Sequence, residues 1–137
     1  MKAKTTNRHN AVIILLTFTI ITMSFFLSNT SAQSNVHYMR IAKIIVDSTQ
    51  LENYKTALKE GIETAVRTEP GVLSMYAVHE KADPTHVTVF EIYADEDAYK
   101  LHIQTAHFKK YKNTVESMVK SLELTDVEPI VMKAKPK

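Results

Sequence analysis

The chain has 137 residues, no cysteine, two glycines and a formal charge of +2. That length supports one domain, disulfide staples are excluded, and so are phosphate cradles, which need several glycines. Removing residues 1–32 takes three of the 17 basic residues and none of the 15 acids, leaving −1, so net charge gives no case for nucleic acid.

Residues 1–10 carry Lys2, Lys4 and Arg8 and no acid. Residues 11–27, AVIILLTFTIITMSFFL, are apolar and uncharged, and small polar residues follow. That order predicts a secretory signal peptide over 1–32, cut after Ala32, with Thr30 and Ala32 at the −3 and −1 places. Seventeen helical residues rise about 25 Å, short of a hydrocarbon core of about 30 Å, so cleavage is favoured over an uncleaved N-terminal anchor. The expected location is periplasmic or extracellular, with membrane contact only through the signal segment. Residues 33–37 read as a linker, 38–134 as the domain and 135–137 as a tail.

YMRIAKIIVD (38–47) alternates. Met39, Ile41, Lys43 and Ile45 share one side, and Arg40, Ala42, Ile44 and Val46 the other, which predicts a strand. Ser48 or Thr49 offers an N-cap. From Leu51 through Tyr54, Leu58, Ile62, Ala65 and Val66 the apolar period becomes helical, and EPG (69–71) stops it. Residues 71–80 and 85–94 read as strands joined into a hairpin by KADP (81–84). Asp95 caps a second helix, with Glu96 and Asp97 complementing its positive end. Thr105 is a candidate cap for a second helical segment that runs through Phe108, Tyr111, Val115, Met118, Val119 and Leu122. Residues 127–134 read as a last strand, placed at an edge or at a bulge by Pro129.

The order β-α-β-β-α-β predicts an α+β, ferredoxin-like sheet with both helices on one face. Val87 and Val89 alternate with Phe90 and Ile92, so the other face is apolar too. One small domain has no third layer to cover it, and a homodimer is expected.

VFEIYADEDAYKLHIQTAHFKKY (89–111) resembles the signature of the antibiotic biosynthesis monooxygenase family. Glu91-x-Tyr93, the acidic helix start up to Tyr99, His102, and His107-Phe108 carry the likeness, and EPGVLSMYAVHE (69–80) is similar to the family's Glu-Pro-Gly-led second strand. The likeness covers about residues 38–133. It implies a dimeric α+β barrel and, among the family's activities, cofactor-free oxidation of quinols and polyketides. Haem-degrading members carry an Asn, a Trp and a ligating His where this chain places Ala42, His102 and Lys112. The chain has no Trp, which argues against that branch.

The resemblance makes His102 the candidate catalytic base, with Glu91, Tyr93, Tyr111, Arg40 and His107 as candidate substrate contacts. The bland readings are definite as well. His107 bonds a buried backbone carbonyl, and Glu91 pairs with Arg40 or Lys43. Tyr76, Tyr93 and Tyr111 are core aromatics, and His79 and His86 are solvated. On an unbroken helix His102 and His107 stand about 140° apart, so no metal site is expected unless a break at Thr105 brings the rings together. The leading expectation is an exported, cofactor-independent monooxygenase joining a quinol-type aromatic and O2. The alternative is a non-catalytic barrel that holds a hydrophobic molecule or haem.

Overall fold

Alternating β-branched residues and a run of helix formers give the first two elements. β1 (Tyr38–Val46) is followed by α1 (Leu51–Thr68). β2 (Val72–His79) and β3 (His86–Tyr93) form the hairpin. The second helical stretch is split into α2 (Glu96–His102) and α3 (Ala106–Val115), and β4 (Val119–Val127) closes the domain. This computed structural model describes residues 37–135. The expected signal peptide over 1–32, its expected cleavage point, residues 33–36 of the expected linker and residues 136–137 of the expected tail lie outside the described residues.

The sheet order is β2-β3-β1-β4, antiparallel throughout, which is the expected ferredoxin-like α+β fold. Ala42, Ile44, Val46, Val87 and Val89 point from the sheet into a core shared with Tyr54 and Leu58 of α1 and Val115 of α3. A second cluster joins Ala65, Val72 and Tyr93, with Tyr38 and Tyr99 packed against it. α1 thus buries the residues spaced along one stripe, as its period requires.

Each helix boundary has a local cause. Asp47, not Ser48 or Thr49, makes the first cap: its carboxylate accepts from the Thr49 amide at 2.8 Å and opens a short 3-10 turn over Ser48–Gln50. At the far end Pro70 disfavours helical geometry in the residue before it. Glu69 is extended, at φ −106° and ψ 110°, while its N–H still donates to the Ala65 carbonyl. Asp95 caps α2 by accepting from the Ala98 amide, and Thr105 caps α3 by accepting from the Phe108 amide.

Three expectations are corrected. The last strand is not 127–134: β4 ends at Val127, and residues 128–135 form no strand. The helical pattern expected through Val119 and Leu122 ends at Val115. After a 3-10 turn over Glu116–Met118, Leu122, Leu124 and Asp126 alternate opposite Ile44, Ala42 and Arg40. Pairing with β1 along its length supplies main-chain hydrogen bonds that Pro129, without an N–H, cannot continue. Tyr76 is no core aromatic. It faces away from the helices opposite Phe90 and is 61% exposed.

Candidate active site

Three helix ends meet where α1 stops and α2 passes into α3. Pro70 turns Glu69 out of helix α1, and α2 ends on His102. Residues 103–105 then turn the chain, with the Thr105 amide donating to the His102 carbonyl at 3.0 Å and the Thr105 hydroxyl to the same oxygen at 2.8 Å. This turn removes the 140° offset of an unbroken helix. His102 and His107, five residues apart, converge on one carboxylate oxygen. His102 Nδ1 lies 2.8 Å and His107 Nε2 2.6 Å from Glu69 Oε1.

His102 is the one polar side chain counted as buried among the described residues, at 6% exposure. Its ring stands edge-on to Phe108 and tilted against Tyr93, with centroids 4.8 and 5.5 Å away. A buried imidazole needs a partner for its N–H, and Glu69 supplies one. A carboxylate only accepts, so Nδ1 carries the proton and, in the neutral ring, Nε2 holds the lone pair. Nε2 has no hydrogen-bond partner among the described residues. His102 also lines a cavity of about 110 Å³ between sheet and helices. An apolar cavity of roughly 150 Å³ takes a benzene ring, so the scale is that of one aromatic ring.

The remaining candidates line the same cavity: Arg40, Glu91, Tyr93, His107 and Tyr111. The polar groups they offer are mostly paired already. The Tyr93 hydroxyl donates to Glu91 at 3.0 Å, and the Tyr111 and Tyr54 hydroxyls share a hydrogen bond at 3.2 Å. Burial holds the Glu91 carboxyl above the usual carboxylate range, against the opposing pull of the Tyr93 bond, His102 and Arg40. Burial likewise pushes the Tyr93 and Tyr111 hydroxyls up, so both stay neutral donors.

Two pairings differ from those expected. Glu91 stands opposite Arg40 in the sheet register, yet the Arg40 guanidinium bonds Asp126 at 2.7 Å and the hydroxyls of Tyr38 and Tyr99. Lys43 lies opposite Thr88 and is exposed. His107 bonds the Glu69 carboxylate, with the Thr105 hydroxyl 3.2 Å away, in place of a backbone carbonyl. His79 is exposed and His86 is 43% exposed, as expected of solvated rings.

Sequence reasoning missed Glu69 and Tyr99 as site residues. Glu69 stood in EPG and was read as a helix stop. Tyr99 stood only at the end of the acidic helix start, yet it lines the cavity with its ring 4.3 Å from the Arg40 guanidinium carbon. Its oxygen accepts from Arg40, and its own proton has no acceptor among the described residues. A hydroxyl that already accepts a charged hydrogen bond donates more strongly.

The antibiotic biosynthesis monooxygenase family model matches residues 37–114. A Bacteroides thetaiotaomicron structure provisionally named as an antibiotic biosynthesis monooxygenase is 53% identical. The match covers 74% of this chain and 96% of that one, with a TM-score of 0.70. A provisionally named monooxygenase from Lactobacillus acidophilus is 29% identical over 67% of this chain and 44% of its own, at TM-score 0.66. A further structure from Nitrosomonas europaea, 23% identical over 70% of this chain and 92% of that chain at TM-score 0.66, shares the fold. No curated protein matches the chain in sequence.

Proposed function

The chain belongs to the antibiotic biosynthesis monooxygenase family, and on that premise we propose that it is a cofactor-independent monooxygenase that oxidises a quinol or related phenol with O2. His102 is the general base and Glu69 the residue that positions it. The observation that carries this reading is the 2.8 Å contact of Nδ1 with Glu69. It keeps the proton on Nδ1 and leaves Nε2, at a ring-sized cavity, free to take another.

A phenol near pKa 10 that gives its proton to an imidazole near 6.5 goes uphill by about 3.5 units, roughly 5 kcal/mol. Two features offset that cost. Glu69 stabilises the imidazolium, and the cavity supplies donors for the phenolate oxygen. Tyr99, whose proton has no acceptor among the described residues, is one such donor; Tyr93 donates to Glu91, and Tyr111 shares with Tyr54 a bond that either hydroxyl can donate. Arg40 adds its charge. Its Nη1, bonded to Tyr99, carries a second N–H.

The electron-rich anion then reduces O2. A ring carbon forms a bond to oxygen, the O–O bond breaks, and the second oxygen leaves as water with protons from the ring and from His102. In sum, quinol and O2 give hydroxyquinone and water. The quinol supplies all four electrons, so no external reductant enters.

O2 uptake by folded, metal-free protein across a panel of hydroquinones and phenols tests the reading. Uptake that saturates with one quinol class supports it. No uptake above the spontaneous rate across the panel contradicts it. We further propose export, on the leader pattern of residues 1–32. N-terminal sequencing that finds Gln33 first, on protein outside the cytoplasm, is the expected result.

A further inference from the structure

We propose that Glu69, His102 and His107 also form a binding site for one divalent first-row metal ion of the Zn2+ type, and that its occupation switches off the base. Glu69 Oε1, His102 Nδ1 and His107 Nε2 all lie within 4.8 Å of one another. Two imidazoles and one carboxylate are a borderline donor set, and with a fourth position left open they suit Zn2+ and its neighbours.

The ligands are held in place before any ion arrives. Glu69 is fixed by Pro70 and by its N–H bond to the Ala65 carbonyl, His102 by its carbonyl bonds to Thr105, and His107 by the Thr105 cap one residue before its helix begins. The three side chains are 12%, 7% and 24% exposed, so they are largely dehydrated, while His107 keeps a route to solvent. Both rings crowd onto Oε1, and Glu69 Oε2 has no hydrogen-bond partner among the described residues. With bonds of about 2.0–2.2 Å, tetrahedral ligand atoms stand roughly 3.3 Å apart. The 2.8 and 2.6 Å contacts with Glu69 need to open by about half an ångström, and the two ring nitrogens, within 4.8 Å of each other, need to settle at the same spacing of about 3.3 Å.

The switch follows from the tautomers and rests on the proposed role of His102 as base. A neutral imidazole ligates through the nitrogen that lacks a proton. Metal on Nδ1 of His102 sends that ring's proton to Nε2, and metal on Nε2 of His107 sends its proton to Nδ1. No proton is lost, but His102 Nε2 becomes a donor and can no longer accept from a phenol. The ion is thus an inhibitor of the proposed reaction.

Calorimetric titration of the metal-stripped protein with Zn2+ alone, repeated with Co2+ by absorption spectroscopy, tests the site. One equivalent and the strong visible bands of low-coordinate Co2+ are expected. Binding should weaken at least 10-fold in Glu69→Gln and His107→Ala and persist in His86→Ala, which removes the exposed ring near Glu80 and Asp83. No stoichiometric binding, or binding lost only in His86→Ala, overturns the site. If the cluster variants fail to fold, imidazole nitrogen NMR of the unaltered protein decides. Zn2+ should shift Nδ1 of one ring and Nε2 of another, and unshifted signals overturn the proposal. Binding without loss of O2 uptake overturns the switch alone, whereas absent uptake in the metal-free protein counts against the proposed reaction and leaves the binding result standing.

Discussion

Glu69 Oε1 lies 2.8 Å from His102 Nδ1, a contact between residues 33 positions apart that puts a carboxylate behind the ring at the cavity wall. Its effect on proton transfer can be isolated. Gln at position 69 can donate its amide N–H to Nδ1 and so stabilise the wrong tautomer. Glu69→Gln should lower kcat by about 10²–10⁴-fold, the range of a general base contribution, with KM little changed. Glu69→Asp should recover part of the loss. Steady-state O2 uptake separates kcat from KM, and equal losses in the Gln and Asp variants would point to a purely structural carboxylate.

The two glycines should respond in opposite senses. A Cβ on Gly61, within α1, meets the Tyr111 ring at an ordinary 3.6 Å, so Gly61→Ala should stabilise the helix by about 0.5–1 kcal/mol. The same methyl enters the cavity wall and should raise KM. A Cβ on Gly71 falls 2.5 Å from that of Ala98. Gly71→Ala must push β2 and α2 apart, at about 1–3 kcal/mol. Urea unfolding of both variants checks the signs.

The fold was legible because its periods were clean. Leu51 to Val66 repeats at helical spacing, β1 alternates, and Asp95, Pro70 and Thr105 mark ends with known local chemistry. Residues 116–127 misled because Met118, Val119 and Leu122 also fit a helical stripe. Leu122 and Leu124 at spacing two were the competing signal, and pairing with β1 made it win. At the site, the sequence placed His102 and its neighbours but not Glu69, since Pro70 acts on a backbone angle and the contact it creates is long-range. Nor could it tell that Tyr93 donates to Glu91 and that Tyr111 shares a hydrogen bond with Tyr54.

Glu91 gives a pH signature. Burial raises its carboxyl above its ordinary value of 4.5, so the folded state binds that proton more tightly than the unfolded chain. Its contribution to stability is complete below 4.5 and is lost as pH rises through the raised folded value. Glu91→Gln cannot ionise. It should be more stable than the parent at neutral pH, and the gap should close in acid. Urea midpoints measured from about pH 4 to 8 follow this, and parallel curves would rule it out.

We propose a homodimer formed through the sheet face turned away from the helices. Tyr76 and Val78 of β2 stand on that face, 61% and 62% exposed. Sedimentation of residues 33–137 should give a dimer at micromolar concentration, and Val78→Lys should shift it toward monomer. A parent chain that sediments as a stable monomer contradicts the proposal.

Proton transfer to His102 is most directly seen without O2. A quinol-type phenol that the protein binds is added anaerobically at a pH well below the phenol's own pKa, and the difference spectrum is recorded. The account predicts a phenolate band with the parent protein, lost in His102→Ala and strongly reduced in Glu69→Gln while the phenol still binds. A bound phenol that stays protonated in the parent, or a phenolate band of equal size in His102→Ala, would contradict His102 as the base.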